Sequence, residues 1–344
     1  MRILIVSQMW PGPSDPDLGS FVATVAGELE ALGHTIDLAV IDRRGGSRLK
    51  YPRLCLDAVR AARRRPPDVV FAHMLFPAGL AGVAASIVGR APLVVMAHGA
   101  DVENLGGVPG VTLLTRAALR RASGLIVNSA WLGRQLDAFI PGSAARAHVI
   151  DCGVDLDLFH PADAAAARAE LGWDGDDGPA FVCVGSLVAR KNVVALADAF
   201  AALGRGRLAF VGDGPLRPEL DGRPGVTVVG RIPHPAIARW IAAADVLCQP
   251  SLREPFGQAA LEALAMERSV VVTTRGGPAE FVTPETGLLV DPDNPGALRN
   301  ALVAAAGLPS PNPAGRSVAE RHGAGRQAAR MADVLAAAVA GHRS

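Results

Sequence analysis

Two glutamates offer the first chemistry in this sequence of 344 residues. Glu254 and Glu262 stand eight positions apart in the stretch EPFGQAALE, between a short apolar run that reads as a strand and a helical pattern. Were the segment helical throughout, a rise of 1.5 Å per residue would set the two backbones roughly 12 Å apart. Paired hydrolytic carboxylates stand roughly 5 to 9.5 Å apart around one anomeric carbon, so the spacing argues against a glycosidase acid and base. It suits two grips on an extended sugar nucleotide, one on sugar hydroxyls and one on a ribose diol. Pro255 reads as a residue of the helix's first turn, where its missing N–H costs nothing. The N–H groups of Phe256, Gly257 and Gln258 would then lie at the positive end of a helix dipole and make a phosphate site. Gly257 lets a ligand approach the backbone closely.

Arg190 and Lys191, in VGSLVARKN, follow a predicted strand; Lys50 and Lys191 are the only lysines in the chain. Cations at a helix start oppose its dipole and call for a compensating anion, which a diphosphate would supply. Phe210 to Pro215, FVGDGP, is a strand end with a glycine-rich turn and no G-x-G-x-x-G dinucleotide fingerprint. Pro11 to Phe21, PGPSDPDLGSF, leads from the first strand into a helix, so Gly19 and Ser20 can offer backbone N–H groups to a diphosphate. His98 to Asp101, HGAD, follows the strand LVVMA; His98 is a candidate sugar contact, and Asp101 either anchors the loop or faces an acceptor. Asn128, Ser129 and Gly153 to Asp155 read as a helix cap and hinge turns.

The elements that must position these residues alternate from the first residue: short β-branched runs, then longer amphipathic stretches, the rhythm of doubly wound parallel sheets. Strands are expected at Arg2–Val6, Ile36–Ile41, Val69–Ala72, Leu93–Ala97, Leu125–Val127 and His148–Ile150. A second set is expected at Ala180–Val184, Leu208–Val211, Val226–Val229, Val246–Gln249, Val270–Thr273 and Leu288–Val290. The length exceeds what one core usually supports, so two domains follow, 1–155 and 156–322. Gly153 to Pro161 is the connector, and Asp174 to Gly178, DGDDG, a turn. Ser317 to Gly341 reads as one long terminal helix, and 323–344 is expected to pack back toward the first domain. Ligands of open α/β sheets bind beyond the carboxyl ends of the strands, and two such domains facing each other make a cleft.

Composition narrows the partners. The net charge is +1, which gives no field for nucleic acid. Cys55, Cys152, Cys183 and Cys248 lack C-x-x-C spacing, which argues against a zinc site or disulfide framework and for a reduced cytosol. MRILIV is too short for a signal peptide, and no apolar run is long enough to span a membrane. From Arg43 to Arg65 nine Arg or Lys residues face one acid, Asp57, with an apolar stripe at Leu54, Leu56, Val59 and Ala62. Such a segment can rest on an anionic membrane or receive an acidic acceptor, or simply complement its own helix dipole before Pro66 and Pro67.

The E-x₇-E spacing of Glu254 and Glu262, with VGSLVARKN, FVGDGP, HGAD and the Gly19–Ser20 turn in order around it, resembles the family-four retaining glycosyltransferases over nearly the whole chain. The resemblance implies the GT-B architecture, two Rossmann-like domains, the first binding the acceptor and the second the nucleotide sugar. It implies catalytic roles for His98, Glu254 and Lys191, with His98 and Glu254 beside the donor sugar. Gly19, Ser20, Asp101, Arg190, Phe256, Gly257, Gln258 and Glu262 become substrate contacts, Glu262 on the ribose. FVGDGP would lie on the nucleotide side, and Gly230 to Pro233, GRIP, would read the base. Two positions depart from the commonest pattern: Ser186 stands where an arginine usually follows the glycine, and Ser20 where a second glycine is frequent.

The implied reaction moves a hexose from a nucleoside-diphosphate sugar, UDP or GDP before ADP, to an acceptor hydroxyl that the sequence leaves unnamed. Configuration is retained, and neither metal nor cofactor takes part. A sugar-nucleotide epimerase and a non-catalytic sugar-nucleotide-binding protein are the alternatives. A cytoplasmic location is expected, with the basic stretch as a peripheral contact at the inner face of the membrane.

Overall fold

In the computed structural model, which describes residues 1–173 and 178–343, the chain divides into two compact units. One comprises Met1–Gly153 with the segment from Ala324 onward, the other Val154–Gly323. The turn expected at Asp174 to Gly178 lies, but for its last residue, outside the described residues.

The first unit opens with β1 (Arg2–Ser7), α1 (Ser20–Ala31), β2 (Thr35–Val40), α2 (Lys50–Arg64) and β3 (Val69–His73). It continues through α3 (Ala78–Gly89), β4 (Leu93–Ala97), α4 (Ala100–Glu103), α5 (Val111–Arg121) and β5 (Gly124–Val127). It then runs through α6 (Ala130–Phe139), α7 (Ser143–Arg146) and β6 (Ala147–Val149). All pairings are parallel, in the order β2-β1-β3-β4-β5-β6. Alternate side chains of each strand leave opposite faces. Ile3, Ile5, Phe71, Val94 and Met96 pack under Val22, Val25 and Leu29 of α1. Leu4, Val6, Val70 and Val95 pack over Leu54 and Ala58 of α2 and Ala81 and Ala85 of α3. Burial on both faces is why the central strands β1, β3, β4 and β5 read as apolar runs, whereas the edge strands β2 and β6 are partly exposed.

The second unit holds α8 (Ala164–Leu171), β7 (Ala180–Val184), α9 (Val193–Ala201), β8 (Arg207–Val211) and β9 (Val226–Gly230). After these come α10 (His234–Ala243), β10 (Val246–Gln249), α11 (Gln258–Ala265), β11 (Ser269–Thr273) and β12 (Gly287–Val290). Helices α12 (Pro295–Ala305) and α13 (Pro313–Arg321) complete it. Its sheet is parallel in the order β12-β11-β10-β7-β8-β9. Taken from β9, this is the doubly wound order with one switch point, between β7 and β10. Every expected strand is present, each within about a residue of its expected ends.

The expected single terminal helix is two: α13 ends at Arg321, and α14 (Ala324–Arg343) follows. The break has a tertiary cause. The His322 carbonyl, instead of continuing a helix, accepts from Val154 N–H at 2.9 Å, and Gly323 forms a parallel bridge with Val154. Helix α14 belongs to the first unit, where Ala328, Met331, Leu335 and Ala338 lie at helical spacing in the core with Ile3 and Phe71.

The stripe expected on α2 is also revised. Leu54, Ala58 and Ala62 form the buried line, whereas Leu56 is 55% exposed. Positions four apart share a helix face, and a residue two positions on points away from it. Among the described residues no helix is long and apolar enough to cross a membrane.

Candidate active site

The loops after β7 and β10 carry a buried charge pair of the second unit, and these strands flank its switch point. After β7 the chain turns through a 3₁₀ segment, Ala189–Lys191, and then Asn192, left-handed at φ 57°, opens α9. Lys191 Nζ donates to Glu254 Oε2 at 2.6 Å, and Ser251 Oγ donates to the same oxygen at 2.9 Å. The two charged side chains are only 14% and 8% exposed. The anion that a cation at this helix start requires is therefore supplied by Glu254 within the protein. Arg190 stitches the same loops: its guanidinium donates to the Arg253 carbonyl, and its own carbonyl accepts from Leu252 N–H.

The Glu254 backbone is held from the other side. Its N–H donates to the Arg275 carbonyl at 3.0 Å, its carbonyl accepts from Gly277 N–H at 2.9 Å, and a Cβ on Gly276 would collide with that carbonyl. The loop Arg275–Glu280 was not singled out in the sequence; its signal was the Gly276-Gly277-Pro278 run directly after a strand.

Here the expected helix start is corrected. Helix α11 begins at Gln258, and Gly257 caps it in the left-handed region at φ 97°. Pro255 and Phe256 precede the helix, so the fully helical spacing between Glu254 and Glu262 does not apply. A left-handed residue cannot continue a right-handed helix, and Glu254 is drawn aside into its bridge with Gly276. A Cβ on Gly257 would stand 2.7 Å from Pro278 Cγ. The Phe256 side chain is buried against Phe281, ring centroids 5.3 Å apart, which leaves its backbone for any ligand.

Glu262, one turn into α11 and 3% exposed, meets His234 instead: Oε1 lies 2.9 Å from Nε2. His234 is the first residue of α10, directly after Gly230–Pro233, and sequence reasoning missed it. The turn FVGDGP has a packing explanation. Gly185 N–H donates to the Val211 carbonyl and Leu187 N–H to the Asp213 carbonyl, and a side chain on Gly212 would strike the Gly185 carbonyl.

In the first unit Gly19, left-handed at φ 67°, caps α1, and a Cβ there would fall 2.5 Å from the Met9 carbonyl oxygen. Ser20 is the first helical residue. Phe21 brings this helix start to His98, with ring centroids 4.8 Å apart. His98 Nε2 lies 3.1 Å from Nδ1 of His73, the last residue of β3, and His98 Nδ1 lies 3.8 Å from Cys152 Sγ. The rings of the two histidines stack at 19°. Burial holds the His98 pKa down at about 4 and His73 well below the usual imidazole range, so the pair is neutral at pH 7. His73 Nε2 is buried without a partner. His73 too was missed, although it ends a strand as His98 follows one.

Asp101 is 2% exposed, and its carboxylate accepts from the N–H groups of Leu75, His98, Gly99 and Val102. Those backbone donors tie the loop to the carboxylate, the anchoring role that is one of the two expected of Asp101. Asn128 Nδ2 donates to the His98 carbonyl, and Ser129 caps α6 by accepting from Leu132 N–H. Burial pushes the thiols of Cys152 and Cys248 up and that of Cys183 up to about 12, so none offers a thiolate at neutral pH.

Residues 18–158 match the family model described as Glycosyltransferase Family 4, and residues 178–306 the model described as Glycosyl transferases group 1. D-inositol 3-phosphate glycosyltransferase 1 of Catenulispora acidiphila is 32% identical over 311 residues, 80% of this chain and 72% of its own. The chain belongs to the family-four glycosyltransferases. A second relative of this glycosyltransferase is the GDP-mannose-dependent monoacylated alpha-(1-6)-phosphatidylinositol monomannoside mannosyltransferase of Corynebacterium glutamicum, 28% identical over 81% of this chain and 77% of its own. The solved sucrose-phosphate synthase of Thermosynechococcus elongatus matches the glycosyltransferase with a TM-score of 0.80 at 24% identity over 99% of both chains, which supports the GT-B fold.

Proposed function

We propose that the enzyme transfers a hexose from a nucleoside-diphosphate sugar to an acceptor hydroxyl with retention of configuration, using protein cations and backbone dipoles in place of a metal. The observation that carries this reading is the Lys191–Glu254 pair at the switch point of the second sheet, beside the amino end of α11. Lys191, Arg190 and the first turn of α11 are assigned to the charge that develops on the leaving diphosphate, because fixed donors aimed at developing charge usually contribute most to such catalysis. Glu254 is assigned to the sugar hydroxyls and Glu262, oriented by His234, to the ribose. The first unit contributes Gly19, Ser20 and His98 as its candidate substrate contacts.

A front-face displacement, in which the leaving phosphate takes the acceptor proton, accounts for retention without a carboxylate nucleophile. The GDP-mannose named for the Corynebacterium relative supports a GDP-sugar, and UDP stands beside it as the second donor to test. Both relatives are named as transferases, which favours transfer over epimerisation or silent binding. For membrane contact, α2 and the turn before it expose Leu49, Tyr51 and Leu56 among Arg48, Arg53 and Arg60, an apolar and cationic face suited to anionic lipid. Leu56→Glu should then reduce sedimentation with anionic vesicles.

Thermal stabilisation by UDP, GDP and ADP, with and without EDTA, tests the donor site. A nucleotide that binds only the folded chain at 100 times its Kd stabilises it by roughly 2.7 kcal/mol. The shift should survive EDTA, vanish in Lys191→Ala and fall to about half in Glu262→Ala. No shift with any nucleotide in a folded wild type would sink the donor-site assignment, and an inverted product anomer would sink the front-face mechanism.

A further inference from the structure

We propose that the first unit carries a second anion site, for a phosphate-bearing molecule with an apolar part, at the end of its sheet away from His98. The site is a cavity of about 460 Å³ lined by Arg116, Arg120 and Arg146 together with Leu119 and Ile140. Leu125 of β5 also lines it, at the amino end of that strand, whereas His98 follows the carboxyl end of the parallel neighbour β4.

Four observations point to an anion. No carboxylate lines the cavity, and none of the three guanidinium groups makes an ion pair among the described residues. Arg116 and Arg120 stand four apart on one face of α5, where like charges repel, with no acid there to offset them. Two of the three arginines are held in place: Arg116 donates to the Phe139 carbonyl at 3.2 Å, and Arg146 to the carbonyls of Leu119 and Ala122. A guanidinium has five N–H donors in a rigid fork, so each retains donors for an oxyanion. Finally, Ser143 lines the cavity with 5% exposure, and its buried Oγ has no hydrogen-bond partner. A buried hydroxyl without a partner costs free energy that a ligand oxygen would offset.

Size and lining name the class. The volume falls within the range of small-molecule pockets, larger than a bare phosphate fills, so the occupant carries an organic portion over Leu119 and Ile140. Three arginines match a phosphate better than a neutral sugar. A soluble phosphate ester and a phospholipid headgroup share that chemistry.

Calorimetric titration of the full chain with phenyl phosphate, with phenol as the neutral control, tests the site. Phenyl phosphate should bind wild type and Lys191→Ala alike, which separates this site from the donor site, and phenol should not bind. Arg120 is exposed and has no hydrogen-bond partner among the described residues, so Arg120→Gln leaves the fold intact; it should weaken binding about tenfold, and Arg116→Gln/Arg120→Gln should abolish it. If phenyl phosphate fails but phosphatidic acid vesicles sediment Leu56→Glu and not Leu56→Glu/Arg120→Gln, with phosphatidylcholine inert, the occupant is a lipid headgroup. Binding that ignores Arg120→Gln, or no Arg120-dependent binding in either arm, overturns the proposal.

Discussion

Lys191 and Glu254, 63 residues apart in sequence, meet at 2.6 Å and join the loops after two neighbouring strands from which the chain winds in opposite directions. The pair is mostly buried, and Ser251 holds the same carboxylate oxygen, so the glutamate is fixed before any ligand arrives. Removing one member leaves a buried charge without its partner.

Lys191→Met and Glu254→Leu should therefore each destabilise the second unit, by roughly 3 kcal/mol. The double variant should regain most of that loss in urea unfolding, because neither charge remains. Activity should stay at least about 100-fold down in all three, since cation and carboxylate are both assigned to the transfer. Recovered turnover in the double variant would remove both residues from the mechanism.

His234 is expected to act through Glu262. In His234→Ala the KM for the donor should rise about tenfold with kcat little changed, the pattern of a lost ground-state grip. Glu262→Gln should show the same split. Steady-state kinetics at varied donor concentration reads it; a fall in kcat at unchanged KM would place His234 elsewhere in the reaction.

The neutral pair His73 and His98 makes stability depend on pH. Both folded pKa values lie below the unfolded value, His98 at about 4, so between pH 4 and about 6.5 the unfolded chain takes up protons that the folded chain refuses. Stability is intact above about pH 6.5 and falls as the pH drops through the unfolded imidazole range toward 4. Melting temperatures from pH 7.5 to 5 should show the decline, and His98→Asn should flatten it. A wild-type melting point constant over that range would contradict the buried neutral pair.

Gly257→Ala should cost about 1 to 3 kcal/mol, because the residue is left-handed at φ 97° and the new methyl group would press on Pro278. The same strain tilts the start of α11, so nucleotide affinity should fall together with the melting point. Unchanged nucleotide binding in a folded Gly257→Ala protein would show that this helix start is not a phosphate site.

The strands, the helices between them and the loops that bear charge were legible because each depends on near neighbours: two buried sheet faces demand unbroken β-branched runs, and ligands bind where those runs end. Glu254, Lys191 and His98 could be named for the same reason, since each lies in a loop after such a run, and Glu262 by its spacing from Glu254. What joined them was not legible. His234 on Glu262 joins helices α10 and α11, and His73 on His98 and the Arg275–Glu280 loop around Glu254 join strand ends, in each case across segments distant in sequence. The start of α11 was misread because one left-handed glycine outweighs proline's preference for a first turn. The final helix was split because Val154 takes the His322 carbonyl. Local pattern and propensity are enough to set which residues form strands and which loops carry charge. Which side chains meet depends on packing, because a hydrogen bond needs two atoms within about 3 Å, and only the assembled sheets bring strand ends that close.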